Sequence, residues 1–448
     1  MTNFFQYKLN KKYLKYFLIL GWVSIWASLS INPMNIFSFY ENIELKFLNT
    51  YSLLELINVG RATFQILYFI ILLVSTLILL KTKKKIFKFD IIFILFLLIF
   101  LIEIISLFKT DNSNTNIFFT ICSLNTILTV FLLKNFFSEV EINLIFKLSI
   151  ILLIILLIFF GIQYIFVFFH YHINFYGAWA TVEHNLNFQV PRPTGLSRTA
   201  LIIFIVLSNI NIFKKPFEKI NYLIMTLSII LLLLLSSRTS IFLYSIYILF
   251  YILYFKIYKL KNFFMLLKNF ILIPLVSILA ILILQNIYQN KFKLNGLFNL
   301  NIGKITRDYP TMSSDPIHNS YGDYTTGRLG DWKEIVKNNK NFLLGNGVLG
   351  DRYLINQSAS NLLFYKYSSS GMAGVMIIIF ISLITLFHAY KNIFVKKSKY
   401  ITYKFISSLI LIALMLRSIL ETSYGIFGID FILFCICFSI IIPNKKFS

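Results

Sequence analysis

The chain has 448 residues, of which 58% are hydrophobic and only 13% charged, with a formal net charge of +24. Its mean hydropathy of +0.77 excludes an ordinary soluble domain, which is about half apolar and about a quarter charged. Such a charge would suggest nucleic acid in a soluble protein, but no soluble basic domain exists to carry it, and most lysines lie between apolar runs, where they set orientation and meet acidic lipid headgroups.

In chain order the apolar runs predict about twelve membrane-spanning helices. They are Tyr16–Ile31, Thr63–Leu80, Ile91–Phe108, Ile117–Leu133, Leu148–Phe169 and Thr199–Phe213, then Tyr222–Leu235, Thr239–Tyr254, Phe270–Tyr288, Met372–Tyr390, Phe405–Leu416 and Ile426–Ile442. The first run is read as an uncleaved span and not as a signal peptide, since the remaining topology works only if it stays. Between the seventh and eighth, "SSRTS" predicts a hairpin, because one continuous helix there is too long for a single crossing. Three parts follow: residues 1–288 with nine spans, a polar loop over 289–371, and three spans in 372–448.

The connectors give orientation. "KTKKKIFK", "KKPFEK", "KIYKLKNFFMLLK" and "KNIFVKKSKYITYK" are rich in lysine and alternate with connectors that are not. Lysine-rich connectors belong in the cytoplasm, so both termini are expected there and the 289–371 loop on the opposite side. The eight arginines then separate from the lysines: Arg61, Arg192, Arg198, Arg238, Arg307, Arg328, Arg352 and Arg417 all fall on the non-cytoplasmic side or at that end of a helix. The positive-inside rule does not distinguish arginine from lysine. A guanidinium differs in holding phosphate oxygens through a rigid planar fork, so the split points to a phosphate-bearing ligand at the outer face; interface anchoring is the alternative for any single arginine.

Cysteines Cys122, Cys435 and Cys437 lie inside apolar runs and form neither a disulfide framework nor a metal pattern. His170 and His172, two apart, spread around a helix and do not make a metal site. Glu103, in an apolar span, is expected to be neutral or paired.

Four stretches resemble the superfamily of O-antigen polymerases and O-antigen ligases. They are "PRPTGLSRTA" at the head of a span, "SSRTS" between two spans, "GRLGDWKEIVKNNKNFLLGNG" in the long loop, and "LRSILETSYGIFGID" joining the last two spans. The resemblance implies an all-α integral membrane glycosyltransferase, GT-C-like, with one large periplasmic loop, in the bacterial inner membrane. It implies transfer of an undecaprenyl-pyrophosphate-linked glycan onto a lipid-linked repeat unit at the periplasmic face, with no metal or other cofactor. Donor and acceptor lipid-linked glycans, membrane lipids and a chain-length regulator are the partners that go with it.

In that framework Arg192 and Arg198 grip the pyrophosphate, with Arg238 and Arg328 next. Arg238 is equally a cap on the helix hairpin. Arg328 and Trp332, four apart on one face, either meet substrate or fold the loop by cation–π stacking. Arg417 and Glu421 form an ion pair or touch substrate. Family ligases often carry a His-Asn pair after the Gly-x-Gly turn; this chain reads Ala359-Ser360-Asn361. Asn361 is kept as a substrate contact; Glu183, His184, His318, Asp323 and Asp331 are all candidate bases that no spacing selects among, with His318 offered in place of the missing family histidine; and the departure favours polymerase over ligase. A flippase or other transporter is the rival of another class, opposed by the lack of an internal repeat.

Overall fold

The computed structural model describes residues 12–23, 66–78, 91–107, 114–170, 193–209, 218–235, 237–258, 268–287, 328–355, 359–395, 403–425 and 428–442. Among them there is no strand. The helices are α1 (12–23), α2 (Ile66–Ile78), α3 (Ile91–Leu107), α4 (Asn114–Phe136), α5 (Glu139–His170), α6 (Pro193–Leu207), α7 (Glu218–Leu234) and α8 (Arg238–Tyr258). Next come α9, which opens with a π turn (Lys268–Leu272) and continues as α-helix (Ile273–Ile287), α10 (Arg328–Asn338), α11 (Gly350–Ile355), α12 (Leu362–Tyr390), α13 (Tyr403–Ser418) and α14 (Ile429–Ile441). Each of the twelve predicted apolar runs is helical over most of its described residues. Among the described residues two helices are long and apolar enough to cross a membrane: Glu139–Ile162 and Leu362–Phe394. At ~1.5 Å per residue the first covers about 36 Å, more than the ~30 Å of hydrocarbon. Shorter apolar helices include Ile91–Ser106, Gly195–Leu207 and Ile429–Ile441.

Local chemistry sets the breaks. The Ser138 amide donates to Glu141 Oε2 at 3.0 Å and the Glu141 amide to Ser138 Oγ at 3.4 Å, a reciprocal capping box that starts α5 two residues after α4 ends. The predicted hairpin at "SSR" is present, since α7 stops at Leu234 and α8 starts at Arg238. A residue in the middle of α12, Gly371, has φ 64° and ψ −163° and kinks that helix.

Polar contacts give the bundle two ends. At one, Lys15 pairs with Glu141 at 3.2 Å, Lys404 with Glu139 at 2.8 Å, and Lys134 donates to the Ile442 carbonyl at 3.0 Å. Asn269 at the start of α9 donates to the carbonyl of Ser208 just past α6. The opposite end gathers the heads of α6, α8 and α14, the tails of α3 and α13, and residues 328–355 and 359–371. Among the described residues arginine is confined to this end, where Arg198, Arg328, Arg352 and Arg417 sit, but lysine is found at both, since Lys333, Lys337, Lys340 and Lys366 are here too.

Helix α14 is buried along its whole length, as expected of a helix that is apolar all round. Phe96 packs edge-on against Phe431, and Phe434 stacks on Tyr424 at 4.6 Å. The centre of the bundle is thus apolar, and any charge on α14 must find its partner at an end.

Residues 359–371 differ from the sequence expectation, which made them part of the polar loop. The first half of α12 instead packs against α3, and Tyr365, Lys366, Ser368, Ser369 and Ser370 are buried. The reason is electrostatic. Lys366 Nζ lies 2.8 Å from Glu103 Oε1, so the helix is drawn inward to neutralise a carboxylate in an apolar span. The boundary expected at 371/372 is the kink within one helix.

Candidate anion site at the arginine end

α6 begins with a Pro at its first position, which suits a helix start, and brings Arg198 to its second turn. α13 ends with Arg417 in its last turn, where a cation suits the helix C-terminus. α14 begins at Ile429 and carries Asp430 in its first turn, where a carboxylate suits the N-terminus. These three helix ends converge. Asp430 Oδ1 lies 3.1 Å from Arg198 Nη1, and Asp430 Oδ2 accepts a 2.8 Å bond from Arg417 Nη1. One carboxylate therefore bridges two guanidiniums. Glu421 Oε2 is 3.9 Å from Arg417 Nη2 and stays partly exposed.

Burial makes this arrangement costly. Arg198, Arg417 and Asp430 are 9%, 8% and 4% exposed. Stripped of water, two cations and one anion leave an excess of one positive charge, offset only by the more distant Glu421. Arginine does not relieve that excess by losing its proton. Each guanidinium has five N–H donors; Arg198 Nε, and with it Asp430 Oδ1, is buried without a hydrogen-bond partner among the described residues, so the Arg198–Asp430 contact is an ion pair that leaves a donor and an acceptor unmet. A buried donor left unmet typically costs ~1–3 kcal/mol. An anion arriving beside Asp430 would meet both the spare charge and the spare donor.

The loop closes over this end. Asn361 caps α12, its Oδ1 accepting from the Leu363 and Phe364 amides at 2.7 and 3.2 Å, while its Nδ2 donates to the Ile419 carbonyl at 2.7 Å. That last bond ties the loop to the turn just beyond Arg417. Gly425 in the same turn is pressed against Leu362, where a Cβ would come within 2.1 Å of Cδ1. Ser423 has φ 41°, an uncommon conformation for a side-chain-bearing residue.

The Gly-x-Gly turn acts as a backbone clasp. Breaking α12 at Gly371 releases carbonyls, and the Asn346 and Gly347 amides fill those of Ser368 and Ser369 at 2.8 and 2.9 Å. In return, Met372 and Ala373 donate to the Phe342 and Leu343 carbonyls. The chains approach so closely that a Cβ on Gly345, which has φ +70°, would lie 2.5 Å from the Gly371 nitrogen. Asn339, Asn341 and Asn346 bond one another beneath the turn. This close approach of two backbones explains the glycines.

The remaining sequence candidates fall as follows. Arg328 opens α10, and Trp332 four residues on stacks at 5.0 Å on Phe364 of α12. Arg328 Nε and Trp332 Nε1 are buried without hydrogen-bond partners among the described residues. Arg417 and Glu421 do pair, but Asp430 is much the closer partner of Arg417. Asn361 has its side chain occupied by capping and by the Ile419 carbonyl, so its observed role is to hold the loop on the bundle. Arg192 and His318 lie outside the described residues, as does the side chain of Arg238.

Two further residues were not singled out from sequence. Asp430 was available as a lone carboxylate at the head of an apolar helix, which demands a buried partner. Asp351, in α11, accepts from the Arg352 and Ala359 amides at 2.9 and 2.8 Å and so braces both ends of the 351–359 segment. Burial pushes its carboxyl up to about 6, against the lowering pull of those amides. Among the described residues no three His, Cys, Asp or Glu side chains gather as a metal ion would require.

No family model, curated protein or solved structure matches this chain. The candidate site is therefore argued from its own geometry.

Proposed function

We propose that the protein is a multi-pass inner-membrane glycosyltransferase that polymerises lipid-linked repeat units at the periplasmic face, with Arg198 and Arg417 receiving the diphosphate of the donor. The observation that carries this proposal is the pair of buried guanidiniums sharing a single carboxylate at the end of the bundle opposite Lys15, Lys134 and Lys404. The four motif stretches of the polymerase and ligase resemblance support it in outline: each contributes described residues to that end.

The chemistry suits such a site. A sugar hydroxyl of the acceptor attacks the anomeric carbon of the donor glycan, the new glycosidic C–O bond forms, and the bond to the pyrophosphate oxygen breaks. The leaving diphosphate takes the electron pair, and the hydroxyl proton passes to a base, the role proposed for His318. Charge develops on the leaving oxygen, so preorganised donors in a water-poor site lower the barrier. Arg192, Arg238 and Arg328 are proposed to complete the cationic surround, and Trp332 to flank it. Asp430 orients the two guanidiniums before substrate arrives, so the site need not reorganise during the reaction.

The test is an electrophoretic ladder of lipopolysaccharide from cells lacking the gene, complemented with wild type or with Arg198→Lys. Polymerase loss leaves core carrying a single repeat; loss of a ligase would leave bare core. A wild-type ladder in the Arg198→Lys strain, with the variant inserted normally, would remove the site assignment.

A further inference from the structure

The Phe342–Leu343 turn is 56% and 65% exposed, an unusual place for two large apolar side chains on a polar loop. Its position accounts for them. Ser106 Oγ, at the tail of α3, donates to the Leu344 carbonyl, and the Met372 and Ala373 amides donate to the Phe342 and Leu343 carbonyls. The turn is thus pinned between the tail of α3 and the kink of α12 at Gly371. Both helices present an exposed apolar ridge beside it: Leu98, Leu101 and Ile105 on α3, and Met372, Met376 and Phe380 on α12. The spacing of three and four residues keeps each ridge on one face. Phe342 and Leu343 continue the two ridges past the tail of α3 and the kink of α12.

Helix α10 leads into this turn with a matching face. At about 100° per residue, Leu329, Lys333, Val336 and Lys337 fall within one roughly 100° stripe, and all four are exposed. Asp331 and Ile335 are buried on the other side. Lys340, also exposed, stands between helix and turn. Apolar side chains interleaved with lysines suit the boundary between acyl chains and acidic headgroups, where lysine stems lie along apolar surface and the ammonium reaches phosphate.

We propose that the α10 stripe and the Phe342–Leu343 turn form an interfacial anchor that docks into the outer leaflet and binds acidic phospholipid through Lys337 and Lys340. The commitment to lipid follows from continuity with the two apolar ridges and from the charge of the flanking side chains. The anchor requires the membrane orientation proposed above but not the glycosyl-transfer chemistry. It holds the loop against the bilayer rim while the glycine clasp holds it against α12, so the roof of the anion site has two supports.

The test uses full-length protein in nanodiscs, with an environment-sensitive fluorescent amino acid placed singly at Val336, Leu343, Asn338 or Leu98. Asn338 is exposed on the opposite side of α10 and is the aqueous control; Leu98 is the hydrocarbon control. In phosphatidylcholine discs, the probes at 336 and 343 should resist aqueous iodide severalfold better than the probe at 338. Phosphatidylglycerol should increase that protection, and Lys337→Glu with Lys340→Glu should abolish the increase. Equal iodide access at 336 and 338 would overturn the anchor, as would protection that phosphatidylglycerol leaves unchanged. Free iodide access at Leu98 would overturn the membrane orientation itself.

Discussion

Two buried charge clusters lie at the same end of the bundle, and they are built to different rules. In the first, Glu103 accepts from Lys366 at 2.8 Å, Ser370 at 3.1 Å and Ser123 at 2.8 Å. One cation meets one anion, and hydroxyls fill the remaining lone pairs. In the second, one carboxylate serves two guanidiniums and a buried Nε is left over. The closed cluster fastens α12 to α3. The open one retains charge and donors for something else. Lysine against arginine marks the same division, since an ammonium suffices to neutralise a point charge whereas a guanidinium fork suits a diphosphate.

The largest expected effect comes from breaking the closed cluster on one side only. Glu103→Ala strands a buried ammonium and should destabilise the protein by roughly 3–5 kcal/mol, read as a fall in thermal unfolding temperature in detergent. Replacing both partners together, with Glu103→Leu and Lys366→Met, should recover most of that loss, because well-packed apolar residues often substitute for a buried pair. A double variant that remains as unstable as the single one would show that the cluster does more than fasten two helices.

Next in size is the open cluster. Arg198→Lys and Arg417→Lys should each lower polymerisation by about a hundredfold, measured as transfer from a lipid-linked donor, while moving the unfolding temperature much less than Glu103→Ala. If the lysine variants instead unfold as readily as Glu103→Ala and retain activity per folded molecule, the two clusters are of one kind.

Smaller again is the roof. Asn361→Ala removes the α12 cap and the bond to the Ile419 carbonyl, and should cost roughly 1–2 kcal/mol. Limited proteolysis within residues 342–361 should become faster, and activity should fall only as far as the loop loosens. Asn361→Asp, which keeps the cap acceptor, should retain most of the stability.

The smallest effect concerns pH. Asp351 has its folded-state value raised to about 6 from a reference of 3.8, with burial as the cause. The folded state therefore binds a proton more tightly than the unfolded chain does. The stability this contributes is complete below the reference value and is lost as pH rises through about 6. Loop protection from hydrogen exchange should improve slightly between pH 7 and pH 5, and Asp351→Asn should remove that dependence. Unchanged pH dependence in the variant would assign it to another group.

The helices were legible because apolar runs leave little choice of structure, and the break at "SSR" was legible because a single helix would be too long. Charge partners were not. Glu103 demanded a partner, but nothing in the spacing of residues 103 and 366 names Lys366. Arg417 and Glu421 form an obvious pair at four residues' separation, yet the closer anion is Asp430, thirteen residues on and across a turn. Local periodicity reports neighbours on one helix, whereas this site is assembled from three helix ends. The glycines of "GNGVLG" signalled a tight turn, but what they approach, the broken backbone at Gly371, lies in another helix. Asn361 reads as a ligand contact because it stands where family ligases carry a His-Asn pair; its hydrogen bonds are spent on the fold.

The most direct measurement is calorimetric titration of the purified full-length protein in nanodiscs with a short, water-soluble prenyl pyrophosphate. Saturable binding that weakens at least about tenfold in Arg198→Lys and in Arg417→Lys, ~1.4 kcal/mol, while Lys366→Met binds as wild type does, is the predicted result. Binding that is indifferent to both arginines, or that is lost equally in Lys366→Met, would contradict the assignment of the open cluster to diphosphate.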